Sequence, residues 1–321
     1  LHLSLRRQRQ MCIRDSLLAG AELIGQAVMW KSIKKYVDIT KPKFVDIKQY
    51  FIPAFAMFIP QVAIQIYAVL DRTMVGILST TSEVGYYDNA QKIIKISLAV
   101  VTSMGTVMLP KMANTFANGD KKSINKYIIK SFKFTSFLAF PMMFGIIGIS
   151  DKFVPWFFGN EFLKCSTLIS VISPIIVAIA WSNVLGIQIM LPIGKIKEFT
   201  ISVTVAAAVN FILNLFLIRK YTSVGSSIAS VVAEVMVTMI QFYLIRDILP
   251  IKKMFNEMWK YIFSSVVMFI VIKLLGNLMP PKIVTTVTQI CIGSLVYFVI
   301  LILLRFSLNK NILNLIRKNF S

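Results

Sequence analysis

Long apolar runs broken by short polar stretches fill the chain from residue 51 to residue 304. Seven of them hold little charge: Phe51–Leu70, Ser131–Ser150, Cys165–Gly194, Phe199–Ile218, Thr222–Ile245, Tyr261–Met279 and Ile283–Leu304. An eighth, Val84–Pro110, reaches comparable length only by including Asp88, Lys92 and Lys95. A helix rises about 1.5 Å per residue, so roughly 20 residues cross a hydrocarbon core of about 30 Å. All eight meet that length, and the two longest must tilt or protrude. Backbone groups in lipid must bond within the segment, which leaves helices or a closed barrel. Unbroken runs rather than period-two alternation predict helices. The expected fold class is all-α, a polytopic membrane helix bundle with about eight complete transmembrane helices.

The ends read differently. Residues 1–16 (LHLSLRRQRQMCIRDS) are Arg-rich and lack the apolar core a signal peptide needs after its basic start. They read as translated sequencing-adapter sequence rather than protein. Residues 17–30 are apolar but only about 21 Å long as a helix, and read as the end of a transmembrane helix whose beginning is missing. Residues 31–50 form a basic linker, either a short amphipathic helix on the inner leaflet or a plain loop. A six-helix unit over 51–249 and a final pair of helices with a tail over 250–321 complete the expected organisation. The basic stretch Arg246–Lys260 separates these two.

Composition agrees with the pattern: 56% of residues are hydrophobic and the mean hydropathy is +0.73, above soluble domains. The net charge of +21 invites a nucleic-acid reading, but its distribution argues against one. Lys and Arg concentrate in alternate loops. One side holds Lys31 to Lys48, Lys111 to Lys133, Lys195, Lys197, Arg246 to Lys260 and the tail from Arg305 to Lys318. The other holds only Arg72, Lys152, Lys164, Arg219, Lys220 and Lys282. The positive-inside rule places the richer side, and the C-terminus with it, in the cytoplasm. That basic face suits anionic membrane lipids.

Few residues offer chemistry. Cys12, Cys165 and Cys291 have no paired spacing and the one histidine is His2, so no metal site and no cofactor are expected. No nucleophile–base or phosphate-loop motif appears, so there are no catalytic residues and no enzyme is expected. Charge inside a membrane marks a pathway or cavity. Asp88, Lys92 and Lys95 fall at i, i+4 and i+7 on one helix face, with Asp88 able to neutralise one ammonium. The other reading is that the helix starts later and this stretch is a wet outer loop. Glu234 lies mid-span and is a candidate proton or sodium site, or a packing group. Asn210 and Asn214, one turn apart on the preceding helix, could bond to it across a hairpin. Asp71 and Arg72 read as a solvated boundary pair, and Lys273 as a snorkelling side chain without a role.

Three segments carry a family resemblance. They are QIYAVLDRTMVGILSTTSEVGYYDNAQKIIKISLAVVTSMGTVMLPKMA (65–113), GIQIMLPIGKIKEF (186–199) and VNFILNLFLIRKYTSVGSSIASVVAEVM (209–236). Together they resemble the C-terminal half of polysaccharide flippases of the Wzx type, in the multidrug/oligosaccharidyl-lipid/polysaccharide exporter superfamily. The family pattern of an Asn-rich helix, a Tyr-Gly-x-x-Gly turn and a following Glu is met by Asn210, Asn214, Tyr221, Gly225 and Glu234. Thr222 replaces the first turn glycine. The resemblance implies a fourteen-helix fold of two six-helix lobes and a final pair, of which this chain supplies the second lobe and the pair. It implies movement of an undecaprenyl-diphosphate-linked glycan across the bacterial cytoplasmic membrane by alternating access, with a cationic cavity for the diphosphate. Lys92 and Lys95 take that role, and Asp88, Glu234, Asn210 and Asn214 line the cavity or couple an ion. A polysaccharide polymerase and chain-length machinery are the implied partners, beside membrane lipids. A lipid II flippase or a drug/cation antiporter of the same superfamily remains the alternative. A membrane polymerase or ligase would need a larger outer loop than the chain has.

Overall fold

A computed structural model of the chain describes residues 2–33 and 44–304. Its contacts divide the chain into two compact units, Leu1–Ala54 and Phe55–Ser321. The first holds helix α1 (His2–Ile33) and the start of α2 (Phe44–Leu78). Residues 34–43, half of the 31–50 linker, and the basic tail beyond residue 304 lie outside the described residues.

The second unit is helical throughout its described residues. It continues with α3 (Thr81–Ala117), α4 (Lys121–Phe157), α5 (Lys164–Ile172), α6 (Ile175–Ser182), a π-helical segment (Asn183–Met190), α7 (Ile196–Leu244), α8 (Ile251–Phe255), α9 (Met258–Leu278) and α10 (Ile283–Leu303). Among the described residues, six stretches are long and apolar enough to cross a membrane. One of these is the 49-residue α7, which folds back on itself and so supplies two passages. The all-α bundle read from the apolar runs is therefore what forms.

Local sequence sets where the helices begin and break. Thr80 caps α3 by accepting the Glu83 amide, in the Thr-x-x-Glu arrangement of a capping box. Gly119 takes a φ of +68°, and Asp120 then caps α4 by accepting the amides of Lys122 and Ser123 at 3.1 Å. Its hydrogen bonds, chiefly to Ser123, hold the Asp120 carboxyl below the usual carboxylate range. Pro174 separates α5 from α6, so the single run read over 165–194 is three pieces.

The fold-back of α7 sits at Thr222, whose φ of 53° and ψ of −133° is glycine territory. Gly225 follows, and a Cβ there would come within 2.2 Å of the Leu217 carbonyl oxygen. The two arms meet again at the far end, where Gln241 donates to Ser202 over 3.3 Å. A polar clasp holds the turn: Lys164 Nζ lies 2.6 Å from Glu83 and 3.0 Å from Thr222 Oγ1, while Ser223 donates to the same Glu83 carboxylate.

The final pair packs on α4. Apolar side chains gain nothing by leaving lipid for one another, so small residues and polar bonds decide helix association. Gly148 and Gly293 both admit the Ile272 side chain at distances a Cβ would obstruct. Lys273 pairs with Asp151, so it is a link between α9 and α4 rather than a snorkelling chain without a role. Trp156 donates to Thr286 over 2.8 Å and Tyr297 to the Phe137 carbonyl over 2.7 Å. At the opposite end Glu257, at φ +71°, binds both Lys133 and Lys260 at 3.1 Å.

Candidate functional site: a buried carboxylate between four helical arms

Consecutive helical residues point about 100° apart, and Asp71 and Arg72 near the end of α2 use that difference. Asp71 shares a face with Met74, Val75 and Leu78 and is 3% exposed. Arg72 faces the other way, and its Nε lies 2.7 Å from Asp88 on α3. The two are thus not a solvated boundary pair. One is a buried carboxyl group and the other pins the neighbouring helix.

Every polar contact of the Asp71 carboxylate comes from a different part of the bundle. Asn214 on the first arm of α7 donates to Oδ1 over 2.6 Å. Ser230 on the second arm donates to Oδ2 over 2.7 Å, and Tyr87 on α3 donates to the same oxygen over 3.2 Å. Gln91 donates to the Tyr87 hydroxyl over 2.9 Å, and Asn214 also reaches Asn210 Oδ1 over 3.0 Å. No ammonium or guanidinium group pairs with Asp71 among the described residues. The donors are all neutral, and buried charge ordinarily requires a counter-charge or a metal ion.

The same cluster holds buried atoms with no protein partner: Asn214 Oδ1, Asn210 Nδ2 and Ser226 Oγ. A buried polar atom without a partner marks a place for water or an ion. Carboxylate, amide and hydroxyl oxygens are the hard donors that small hard cations take. Among the described residues no three His, Cys, Asp or Glu side chains group together.

Glu234 lies one turn beyond Ser230 on the same arm and is buried. It lines a small cavity of about 140 Å³ with Ser182 and Asn183, where α6 passes into the π-helical segment. Asn183 comes close to α3 because position 105 is glycine; a Cβ there would lie 2.5 Å from its Oδ1. Widened helical turns of this kind recur at functional sites. Asn214 donates to Asp71 and to Asn210 Oδ1, because that carboxylate sits between the two arms at their level.

The charged face of α3 is also rearranged. Asp88, Lys92 and Lys95 lie on one helix, and the wet-loop alternative fails because α3 begins at Thr81. Asp88 is taken by Arg72, however, and neutralises neither lysine. Lys92 and Lys95 are exposed, and Lys92 reaches only Asn89 at 3.4 Å. Asp71, Tyr87 and Ser230 were missed at the sequence level. Two signals were available: the i, i+3, i+4, i+7 pattern of Asp71 with Met74, Val75 and Leu78, and the serines one turn apart at 226 and 230.

Comparison with known proteins finds relatives among membrane flippases. A family model described as polysaccharide biosynthesis protein matches residues 18–167. A probable low-salt glycan biosynthesis flippase of Haloferax volcanii is 23% identical over 79% of this chain and 53% of its own length. The lipid II flippase MurJ of Bacillus subtilis is 23% identical over 49% of this chain and 29% of its own. Among solved structures, lipid II flippase MurJ in an inward closed conformation superposes with a TM-score of 0.69 at 24% identity. That match covers 88% of this chain and 60% of that one. The chain spans about half the length of the first of these relatives and less of the second. The likeness to flippases of the exporter superfamily, read from three segments, is borne out.

Proposed function

We propose that this chain is the second lobe and final helix pair of a flippase. It moves an undecaprenyl-diphosphate-linked oligosaccharide repeat unit across a bacterial cytoplasmic membrane by alternating access, coupled to an ion. The observation that carries the reading is the Asp71 carboxylate, buried among neutral donors in a bundle with the fold of a lipid II flippase. A cation or proton arriving there removes an uncompensated charge and frees or locks both arms of α7. The equilibrium between two conformations shifts only if the ion binds one of them better. Asn210 and Asn214 share that ion site, and Glu234, one turn further along α7, gives a second titratable position in the same core.

Lys92 and Lys95 hold the substrate diphosphate. They are exposed, lie on one face and are released from Asp88 by Arg72, so their charge is available to an anion. The basic loops face the cytoplasm, as the positive-inside rule requires. A polymerase and chain-length machinery take the glycan onward. Lipid II as cargo is the second reading, favoured by the Bacillus relative.

The test deletes the whole gene in its host and follows surface polysaccharide together with lipid-linked intermediates. Loss of polymer with repeat units accumulating inside, restored by the wild type but not by Lys92→Ala/Lys95→Ala or Asp71→Asn, supports the reading. Accumulated lipid II with normal polymer transfers the protein to the second reading. Unchanged polymer and unchanged lipid II would remove both.

A further inference from the structure

A second opening, away from Asp71, lies on the side of the bundle. It is a half-open groove of about 530 Å³ between α4, α6, the second arm of α7 and α8. Its wall is almost wholly carbon, with Phe140, Trp181, Met239 and Phe242 along it and Ile251 and Phe255 at one end. Pro174 sits in the wall, where the break between α5 and α6 contributes to the groove. From Val235 to Phe242 it follows α7 for about 10 Å. Trp181 is fixed in place: its Nε1 donates to Ser136 over 2.9 Å, and its ring meets Phe255 edge-on at 5.6 Å.

The short helix α8 closes the groove and gives it a charged mouth. Met254 is fully buried and anchors the helix, while Ile251 and Phe255 face the groove. Lys252 and Lys253, between them in sequence, are exposed and have no carboxylate partner among the described residues. Arg246, at the end of the same arm of α7, stacks on Tyr243 at 4.7 Å and keeps its guanidinium at the surface. An apolar trough within a membrane bundle, ending at Lys252 and Lys253 with no carboxylate partner among the described residues, is complementary to one kind of molecule.

We propose that this groove is a binding site for an anionic phospholipid of the leaflet on the basic side. One acyl chain lies against Trp181 and Phe242, and the phosphate sits on Lys252 and Lys253. The site is independent of the transport reading, since none of its residues belongs to the Asp71 cluster or the α3 lysines. Its effect is to fasten α8, and with it the connection between the six-helix unit and the final pair. A juxtamembrane lysine attracts an anionic surface strongly enough for about a fivefold preference each.

The full chain reconstituted in phosphatidylcholine vesicles tests this through Trp181 fluorescence, isolated as the difference between wild type and Trp181→Phe. Brominated acyl chains quench an indole only on contact. Brominated phosphatidylglycerol is expected to quench at a mole fraction about five- to twenty-fivefold lower than brominated phosphatidylcholine, one lysine's preference up to the product of both. Lys252→Gln/Lys253→Gln, exposed and safe for folding, is expected to abolish the difference. Equal quenching by both lipids, or none by either, would overturn the proposal, as would a preference that survives in the double variant. Relief of quenching by added farnesyl diphosphate at equally low mole fraction would assign the groove to isoprenoid lipid and overturn it as well.

Discussion

Asn214 donates to Asp71 over 2.6 Å and to Asn210 over 3.0 Å, tying the end of α2 to the first arm of α7 through one amide group. With Ser230 on the other arm, the carboxylate becomes the point where three helical passages are counted against one another. Its removal therefore acts on packing and on charge at once, and two substitutions separate these effects.

Asp71→Ala leaves Asn214, Ser230 and Tyr87 facing an empty space. At about 0.6 to 2 kcal/mol per bond lost in a membrane bundle, the loss is a few kcal/mol. Thermal unfolding in detergent should show a clear drop in Tm. Asp71→Asn keeps the size and most of the bonds, so its Tm should fall less, while any sodium- or proton-dependent shift in Tm should vanish. An ion-dependent shift that survives in Asp71→Asn would place the ion elsewhere.

For the two lysines of α3 the expectation is the reverse. Both side chains are exposed, so Lys92→Ala/Lys95→Ala should change stability by no more than about 0.5 kcal/mol per site. Transport should nevertheless fail, together with retention of a polyprenyl diphosphate by the purified protein. A double variant that binds the diphosphate as well as wild type would take the phosphate role away from this face.

The turn in α7 gives a pair of opposite signs. Thr222 holds a β-branched side chain at φ 53°, a conformation costing of order 1–3 kcal/mol. Thr222→Gly relieves that strain and loses two hydroxyl bonds at the surface of the turn, from Lys164 and to the Tyr221 carbonyl, so Tm should rise if the strain outweighs them. Gly225→Ala should do the opposite. Its Cβ would meet backbone rather than a movable side chain at 2.2 Å, and overpacking of this kind costs about 1–3 kcal/mol or more.

Docking of the final pair should be as sensitive to small residues as to charge. Gly148→Val on α4 presses on Ile272, whose side chain an added Cβ alone would meet at 2.8 Å. A cysteine pair placed across α4 and α9 should then cross-link more slowly. Lys273→Met leaves Asp151 with Ser166, which donates to it over 2.8 Å, and should slow cross-linking less. Equal cross-linking in all three proteins would show that neither contact holds the pair in place.

The apolar runs determined on their own that the chain is a helical membrane bundle, where most passages lie and which helix carries charge. Length and hydropathy suffice for that, because lipid admits no unsatisfied backbone. The Asn210/Asn214 spacing was legible too, since it is set within one helical turn, and the glycine turn near Tyr221 came through the family resemblance. What tertiary structure decided was partnership. Asp88 had Lys92 four residues away and pairs with Arg72; Asn214 donates to Asp71, on a helix far away in the sequence. Adjacent Asp71 and Arg72 read as one surface pair, yet one faces the core and the other a neighbouring helix. Sequence spacing fixes which face of a helix a side chain occupies, but only the packing of α2, α3 and both arms of α7 fixes what stands opposite that face.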